Sequence, residues 1–322
     1  MDDLRWFASN RYTFLLVPEL RRRGLSISLE GDAPARLTLS MSGKKAVEAW
    51  RYARARGCPL VLYIWDLHPE ATSSGSYDPV WWAGGRFFRL PRPIGGFPSR
   101  RGFYSRLRYI AAHAREVWVP SQMTQAVVRR RFGIDSRQVP YCYDSGRLRP
   151  ASTARDDPPT LLTVSRLQPY KNQAATIRAA ARLGPGVQVR LIGRGPERDS
   201  LERLAASLAV RCRIETDADD ATVGDAYHRA RVAVCPSRFE GFGLTPVEAV
   251  ASGTPTVASD IPPHREFVGR TAHLFPPDDV DALVEAIRAA FNGAVPDPGL
   301  VRDLSIPVAV ERFLGVLDPL IR

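Results

Sequence analysis

Residues 236–259, PSRFEGFGLTPVEAVASGTPTVAS, carry the strongest structural pattern in the 322-residue chain. They follow the apolar run 232–235, which has the length and composition of a buried strand, and they include a second apolar run at 256–258. Between these runs, residues 244–252 have the apolar periodicity of a helix. A strand, a helix and a strand joined by short loops predict a β-α-β unit with parallel strands.

The same alternation continues on both sides of this stretch. Strands are predicted at 160–164, 187–192, 213–215, 232–235, 256–258 and 273–275. Helices are predicted at 172–183, 196–209, 222–230, 244–252 and 280–292. The alternation predicts a parallel sheet with helices on both faces, and ligands of such sheets bind at the carboxyl ends of the strands.

The N-terminal half shows the alternation less clearly. Strands are predicted at 25–29, 60–65 and 116–120, and helices at 12–23, 44–56, 105–114 and 122–132. Between the halves, PASTARDDPP at 150–159 has the Pro, Ser, Thr and Asp content of a linker. We therefore place a domain boundary there.

Two carboxylates belong to the 236–259 stretch. Glu240 lies in the predicted loop, and Glu248 lies about one turn into the helix on the same side. Gly241 and Gly243 let the backbone approach a ligand, and the free N–H groups at the start of the helix suit a phosphate. This pattern favours sugar recognition over metal binding. The alternative is a surface loop in which Glu240 is solvated and Glu248 interacts with the helix dipole.

Two further loops follow predicted strands at the same edge. Arg166 and Lys171, in SRLQPYKN at 165–172, can clamp a diphosphate, the first as a fork and the second as a point charge. Lys171 is the only Lys among residues 151–322. The loop GRGP at 193–196 lacks the third glycine of a dinucleotide fingerprint, and a tight turn before a helix explains it equally well.

Residues 160–292 resemble the donor domain of the retaining family 4 glycosyltransferases, the group 1 glycosyl transferases of GT-B fold. The resemblance rests on SRLxxxK at 165–171, GxGP at 193–196 and PSxxEGFGLxxxEAxAxGTPxVAS at 236–259. The spacing Glu240-x7-Glu248 is part of the last motif. A weaker resemblance covers residues 11–24, 118–121 and 139–148.

The resemblance implies an α/β protein of GT-B fold, with two Rossmann-like, doubly wound parallel-sheet domains facing across a cleft. Residues 1–150 would form the N-terminal acceptor-binding domain, and residues 151–304 the C-terminal nucleotide-sugar domain. We expect residues 305–322 to form a C-terminal helix that crosses back to the N-terminal domain.

The implied activity is that of a retaining hexosyltransferase. It would move a hexosyl unit from a UDP- or GDP-sugar to an acceptor hydroxyl on a lipid-linked, glycan or natural-product acceptor. Arg166 and Lys171 would stabilise the leaving diphosphate, Glu240 would hold the sugar hydroxyls, and Glu248 the ribose hydroxyls. The other expected donor-binding residues are Ser165, Gly193, Gly195, Gly241, Phe242, Gly243, Leu244 and Thr245.

The resemblance implies neither a catalytic metal nor a cofactor, because the nucleotide sugar is a co-substrate. Residues 217–219 spell DAD, and DxD holds Mn²⁺ or Mg²⁺ in other glycosyltransferases. Here the acids directly precede a predicted helix. Asp219 or Asp220 is therefore predicted to cap that helix rather than to bind a metal.

The N-terminal half departs from the family pattern at two places. Residues 1–10 show neither a clear strand nor the Gly-rich loop with which the family opens. After the strand at 60–64, Trp65 falls where the family tends to place a His, so Asp66 or His68 is expected to act at the reacting sugar instead. The alternative for His68 is a surface turn with an exposed imidazole.

The net charge of +11 arises in the N-terminal half. Residues 1–150 carry 25 Lys and Arg against 12 Asp and Glu, whereas residues 151–322 carry 20 against 22. Residues 86–108 contain seven Arg and no acid, and they predict a long loop that suits an anionic or lipid-linked acceptor or a membrane surface rather than nucleic acid. Its expected contact residues are Trp81, Trp82, Arg86, Phe87, Phe88, Arg100 and Arg101.

No apolar run is long enough to span a bilayer, and MDD at 1–3 does not open a signal peptide. We therefore expect a cytoplasmic protein that attaches peripherally to the inner membrane face. Two other functions stay open: a nucleotide-sugar epimerase on a similar scaffold, and a catalytically weak glycosyltransferase-like binding subunit. The complete motif set disfavours the first, whereas the missing Gly-rich loop and Trp65 favour the second.

Overall fold

The computed structural model describes residues 2–7, 15–29, 34–41, 45–65, 67, 81–83, 86–88, 100–148, 154–293 and 295–322, with only the backbone given for residues 5–7, 81–83, 86–88 and 100–103. The chain divides into two compact units. Unit 1 comprises Met1–Tyr141 and Ile306–Arg322, and unit 2 comprises Cys142–Ser305.

Unit 1 is built on a parallel sheet. Its described elements, before the C-terminal helix, are β1 (Asp2–Phe7), α1 (Leu16–Arg22), β2 (Ile27–Ser28), β3 (Ala35–Ser40), α2 (Ala46–Arg56), β4 (Leu60–Tyr63), β5 (Trp81–Ala83), β6 (Arg86–Phe88), α3 (Arg100–His113), β7 (Glu116–Val119), α4 (Gln122–Phe132) and β8 (Arg137–Gln138). The sheet order is β2-β1-β3-β4-β7-β8, with all pairs parallel, and β5 and β6 form a separate antiparallel pair.

The central strands of unit 1 are buried on both faces. Leu60, Leu62, Val117 and Val119 lie in one apolar cluster with residues of α2, α3 and α4. Continuous apolar strands of this kind are typical of parallel sheets covered by helices on both sides. This packing explains why β4 and β7 are readily predicted from the sequence.

Unit 2 repeats the architecture. Its elements are β9 (Thr160–Val164), α5 (Gln173–Leu183), β10 (Gln188–Ile192), α6 (Arg198–Ser207), β11 (Cys212–Glu215), α7 (Asp220–Arg229), β12 (Val232–Cys235), α8 (Leu244–Ala251), β13 (Thr256–Ser259), α9 (Pro262–Val268), β14 (His273–Phe275) and α10 (Val280–Asn292), with 3₁₀ turns at Pro169–Lys171 and Pro298–Leu304. The sheet order is β11-β10-β9-β12-β13-β14, and all pairs are parallel.

The last helix, α11 (Ile306–Ile321), is part of unit 1. Phe313 packs edge-on against the buried ring of Trp118 in β7, with ring centres 5.3 Å apart. Arg23, which follows α1, pairs with Glu311. None of the helices in the described part of the chain combines the length and apolar composition needed to cross a membrane.

The predicted fold class, α/β with two doubly wound parallel sheets, is confirmed. The division between the units falls at Tyr141 and Cys142, before the Pro-rich stretch. Tyr143 already belongs to unit 2 because its N–H donates to Leu304 O at 2.9 Å.

Two predictions about the N-terminal half are wrong. Residues 2–7 do form a strand, β1, which pairs with β2 on one side and β3 on the other. The mixed polar and apolar sequence of residues 2–7 does not predict a strand by itself. The strand forms because β1 pairs with β2 and β3, which come later in the chain. The segment 86–108 is not one long loop, since β6 opens it and α3 occupies its end. Arg is a good helix former, and Leu107, Ile110 and Ala111 bury one face of α3.

Candidate active site

The loops that follow β9 and β12 meet at the carboxyl edge of the unit 2 sheet. These two strands are neighbours, and the chain leaves them in opposite directions, since β10 lies beyond β9 and β13 lies beyond β12. Such a switch point opens a crevice at the carboxyl edge, where ligands of doubly wound sheets bind. Residues 165–172 and 236–243 therefore occupy the position expected of a ligand site.

An ion pair joins the two loops. Lys171, the last residue of the 3₁₀ turn, donates from Nζ to Glu240 Oε1 at 2.5 Å. The two side chains are only 11% and 14% exposed, so water screens this pair less than a surface pair. Burial acts to raise the pKa of Glu240, but Lys171 and a hydrogen bond from Ser237 outweigh it and lower the pKa. Glu240 is therefore an ionised acceptor of hydrogen bonds.

Arg166 and Lys171 flank one aromatic side chain. Arg166 is exposed, and its Nη2 donates to the hydroxyl of Tyr170 at 2.6 Å. Lys171 Nζ lies 5.3 Å from the centre of the same ring. A guanidinium has five N–H donors, so this bond is compatible with a second, anionic acceptor. Tyr170 thus brings the two predicted diphosphate ligands to one place.

Hydrogen bonds from Arg238 and Asn172 hold the backbone around Lys171 in place. The side chain of Arg238 donates to Pro169 O at 2.8 Å and to Asp278 Oδ1 at 2.7 Å. Its backbone N–H donates to Tyr170 O at 2.8 Å. Asn172, which has a left-handed backbone conformation, also donates to Asp278 Oδ1, at 3.4 Å. These bonds fix the 3₁₀ turn against the loop that carries Glu240.

The two glycines of the GxGP motif allow the loop after β10 to touch the loop after β9. A Cβ on Gly193 would lie 1.9 Å from Ser165 O, and one on Gly195 would lie 2.1 Å from Leu167 O. Gln173, which is buried, donates to Ser165 Oγ at 2.8 Å. The glycines therefore support the Ser165–Leu167 loop, and their predicted contact with the donor stays a prediction.

The start of α8 is packed tightly against the sheet. Thr245 Oγ1 donates to Val164 O at 3.1 Å, and Phe242 is buried against Phe267 with ring centres 4.2 Å apart. Gly243 precedes the helix with φ 89° and ψ 55°. A Cβ there would lie 2.7 Å from His264 Cδ2. The first-turn N–H groups of α8, beginning at Leu244, are thereby placed at the carboxyl edge.

The neutral ring of His264 lies against Gly243, the residue that precedes α8. It is 1% exposed, its Nδ1 lies 2.9 Å from Ser259 O, and Nε2 is buried without a hydrogen-bond partner among the described residues. Burial lowers its pKa despite the opposing charge of Glu240. Because Nδ1 faces a carbonyl oxygen, the single proton of the neutral ring belongs on Nδ1, and Nε2 is an acceptor.

Glu248 is also paired, with a residue from the start of unit 2. Arg147 Nη2 donates to Glu248 Oε1 at 3.1 Å, and Tyr227 OH donates to Oε2 at 3.2 Å. Arg147 Nη1 lies 3.4 Å from Asp220 Oδ1. Glu248 is only 3% exposed. Its carboxylate therefore has a fixed orientation at the N-terminal part of α8.

The two carboxylates act on one buried thiol. Burial raises the pKa of Cys235, the last residue of β12, and both Glu240 and Glu248 add to this rise, whereas Lys171 opposes it. A thiol that is influenced by both carboxylates lies within electrostatic reach of each. Glu240 and Glu248 therefore both lie near the end of β12.

The DAD segment has a structural role. Asp219 caps α7 by accepting from Thr222 N at 2.8 Å, as predicted, and Asp217 pairs with Arg194. Within the described residues, no group of three or more His, Cys, Asp or Glu side chains could hold a metal ion.

Fewer of the predicted unit 1 residues can be placed. Trp65 donates its indole N–H to Met41 O, and its ring lies 4.2 Å from that of Tyr141. Trp65 is therefore a packed residue at the end of β4. Asp66 and His68 lie outside the described residues. Among the expected acceptor or membrane residues, the backbone places Trp81 and Trp82 in β5, Arg86, Phe87 and Phe88 in β6, and Arg100 and Arg101 in α3.

Several residues of this site are absent from the sequence-based predictions, among them Arg147, Tyr170, Tyr227 and His264. Tyr170 lies inside the SRLxxxK motif and could have been noticed there. The other three lie outside the motifs: Arg147 and Tyr227 reach Glu248 across 101 and 21 positions, and His264 lies five positions after Ser259. No local pattern identifies them.

The fold of this chain is that of the GT-B glycosyltransferases, as solved structures show. HepE of Anabaena, solved in complex with UDP-glucose, matches with a TM-score of 0.75 and 15% identity over 99% of this chain and 100% of that chain. A sucrose-phosphate synthase from Thermosynechococcus elongatus matches with a TM-score of 0.64 and 22% identity over 89% of this chain and 71% of that chain. Likeness at such identities shows the fold alone.

Sequence relatives agree with the class. A glycogen synthase of Mycobacterium tuberculosis is 33% identical over 184 residues, which are 55% of this chain and 42% of the relative. A phosphatidyl-myo-inositol mannosyltransferase of Mycolicibacterium smegmatis is 36% identical over 126 residues, which are 37% of this chain and 32% of the relative. The match to each thus spans less than half of the relative's length.

Residues 144–297 match the model of the glycosyl transferases group 1. The matched residues make up nearly all of unit 2.

Proposed function

We propose that the protein is a retaining glycosyltransferase that moves a hexosyl unit from a UDP- or GDP-sugar to an acceptor hydroxyl. The observation that carries this proposal is the meeting of Arg166, Lys171 and Glu240 at the switch point of the unit 2 sheet. Two cations and one ionised carboxylate match a donor with two phosphates and a polyhydroxylated sugar. The match of residues 144–297 to the glycosyl transferases group 1 supports the same reaction class.

In the proposed reaction, the bond between the anomeric carbon and the diphosphate oxygen breaks, and a bond to the acceptor oxygen forms. The acceptor hydroxyl passes its proton to the departing diphosphate oxygen, and the nucleoside diphosphate leaves with the electron pair of the broken bond. Arg166 and Lys171 stabilise the charge that develops on this leaving group. Glu240 accepts hydrogen bonds from sugar hydroxyls and so orients the sugar.

The Lys171–Glu240 pair fits this division of roles. An ammonium group has three N–H donors, so Lys171 can keep one bond to Glu240 and direct the others to phosphate oxygens. The pair then holds both side chains in position before a donor arrives. We propose that Ser165 and the backbone from Gly241 to Thr245 complete the donor site, with Glu248 at the ribose.

Named relatives favour a nucleotide diphosphate sugar as the donor. HepE of Anabaena was solved with UDP and with UDP-glucose, and one relative is a mannosyltransferase. We propose that the acceptor is anionic or lipid-linked and that unit 1 binds it, because the Arg-rich segment 86–108 belongs to that unit. We further propose metal-independent turnover in the cytoplasm, with peripheral attachment to the inner membrane face.

The test is a nucleotide-release assay. The protein is incubated with UDP-glucose, UDP-galactose, UDP-N-acetylglucosamine and GDP-mannose, with candidate lipid-linked and glycan acceptors, and free UDP or GDP is measured. We expect acceptor-dependent release with one donor, and NMR of the product should show the anomeric configuration of that donor. An inverted product contradicts retention. The absence of release with any donor contradicts the enzyme assignment.

A second candidate is a catalytically weak, glycosyltransferase-like binding subunit. It is favoured by Trp65, which is packed and hydrogen-bonded where the family tends to place a His. Tight binding of UDP or GDP by calorimetry, without release from any nucleotide sugar, is the result that this candidate predicts.

A further inference from the structure

We propose that Arg147 is the positioning residue that lets Glu248 discriminate nucleotides by their ribose hydroxyls. This inference rests on the proposed function, in which Glu248 faces the ribose of a nucleotide donor. The inference is based on a buried ion pair: Arg147 Nη2 lies 3.1 Å from Glu248 Oε1, and the two side chains are 15% and 3% exposed.

The backbone around Arg147 is fixed before the side chain reaches Glu248. Asp144 Oδ1 accepts from Gly146 N at 3.0 Å and from Arg147 N at 3.2 Å, and Leu148 N donates to Asp144 O at 2.9 Å. Leu148 is buried. These bonds make a closed Asx turn that points Arg147 toward α7 and α8.

The carboxylate is oriented from both sides. Tyr227 OH donates to Glu248 Oε2 at 3.2 Å, while Arg147 holds Oε1. Because one bond reaches each carboxylate oxygen, the two bonds together fix the plane of the Glu248 carboxylate. Two vicinal ribose hydroxyls are donors of matching number and spacing. A carboxylate that is free to rotate would bind them less selectively.

Arg147 also sits between two acids. Its Nη1 lies 3.4 Å from Asp220 Oδ1, so the same guanidinium neutralises repulsion between Asp220 and Glu248. Without Arg147, Glu248 is a buried charge without this cation, and such a group reorients or loses its charge. The expected consequence falls on ribose recognition, whereas Lys171 and Arg166 keep their own contacts with the diphosphate.

The experiment compares three probes by calorimetry: UDP or GDP, whichever the wild type binds, its 2′,3′-dideoxy analogue, and inorganic pyrophosphate. For wild type we expect the dideoxy analogue to bind at least about tenfold more weakly than the nucleotide. In Arg147→Met the ratio of the Kd of the dideoxy analogue to the Kd of the nucleotide should fall to about twofold or less. Pyrophosphate affinity should stay unchanged, because the diphosphate ligands are intact.

The matched control is Arg190→Met. Arg190 pairs with Glu215 at 2.8 Å, and the two side chains are 18% and 13% exposed, so this variant breaks a comparable pair between β10 and β11. It should keep the wild-type ratio. Arg147→Lys retains the positive charge but lacks the forked donors of a guanidinium. Its Kd ratio should lie between the ratios of Arg147→Met and wild type. If Arg147→Met does not fold, Arg147→Lys and Tyr227→Phe supply the test, and each should reduce the ratio.

The inference is overturned if Arg147→Met and Arg147→Lys keep the wild-type ratio, or if wild type does not distinguish the nucleotide from its dideoxy analogue. Equal weakening of all three probes also overturns it, because that result indicates a purely structural role. Failure of wild type to bind UDP, GDP and pyrophosphate is a different result and rejects the proposed function itself.

Discussion

Lys171 and Glu240 are separated by 69 positions in the chain, and their side chains meet at 2.5 Å. One follows β9 and the other follows β12, so the pair spans the switch point of the sheet. This ion pair places a cation and an ionised carboxylate side by side at the carboxyl edge of the unit 2 sheet.

Glu240→Gln should lower turnover of the nucleotide sugar by roughly 10²–10³-fold while the fold is preserved. The amide is a weaker acceptor for sugar hydroxyls and leaves Lys171 without its counter-ion. The measurement is the rate of nucleotide release, with circular dichroism and Tm as checks of folding. Glu215→Gln is the control, because Glu215 is similarly buried and paired with Arg190. Near-normal turnover of Glu240→Gln would sink the site assignment.

Lys171→Met should weaken binding of free UDP or GDP by about 10–100-fold, since a charge-assisted contact to phosphate is lost. Calorimetry measures this Kd directly. Lys45→Met is the control, because Lys45 pairs with Glu48 on the surface of unit 1. An unchanged Kd in Lys171→Met contradicts the assignment of Lys171 to the diphosphate.

Gly243→Ala should destabilise unit 2 by about 2–4 kcal/mol, of which about 1–2 kcal/mol comes from the left-handed backbone and the rest from contact with His264. Gly133→Ala isolates the backbone cost, because Gly133 has φ 70° and its Cβ would meet nothing within 4 Å. Urea unfolding measures both. If the double variant Gly243→Ala/His264→Ala loses as much as the two single variants together, the contact is not the cause.

Stability should fall as the pH decreases below about 6.5, the ordinary pKa of histidine. Burial lowers the pKa of His264 in the folded state, so the unfolded chain takes up a proton that the folded chain does not. The slope contributed by His264 is at most about 1.4 kcal/mol per pH unit. Urea unfolding at pH 7.5 and 5.5 measures it.

His264→Gln should flatten this pH dependence, whereas His273→Gln, at an exposed position, should not. An equally steep decrease in His264→Gln would assign the effect to other groups. Glu240 also has a lowered pKa, and the stability that it contributes is lost only at more acidic pH, below the ordinary carboxyl range.

Asp219→Ala should lower the free energy of unfolding and leave transfer activity unchanged, because Asp219 caps α7. Thermal unfolding and nucleotide release measure the two effects. Excess EDTA should not reduce the activity of wild type. Loss of activity in Asp219→Ala that added Mn²⁺ restores would show that the DAD segment binds a metal after all.

Local patterns were sufficient to predict most of unit 2. Strands β9, β12 and β14 and helix α10 have the predicted bounds, because alternating apolar runs and cap residues such as Asp279 act within a few positions. In unit 1, β1 was missed because its strand character comes from pairing with β2 and β3 rather than from its own composition.

Local sequence patterns are enough to predict the α/β class, the motifs at 165–171 and 236–259, and their location on loops after strands, because periodicity and glycine placement are local properties. Which charges meet depends on the three-dimensional structure. Arg147 reaches Glu248 across 101 positions, and Lys171 reaches Glu240 across 69. Ion pairs of this kind depend on how strands are ordered in the sheet, and that order follows from packing of the whole unit rather than from neighbouring residues.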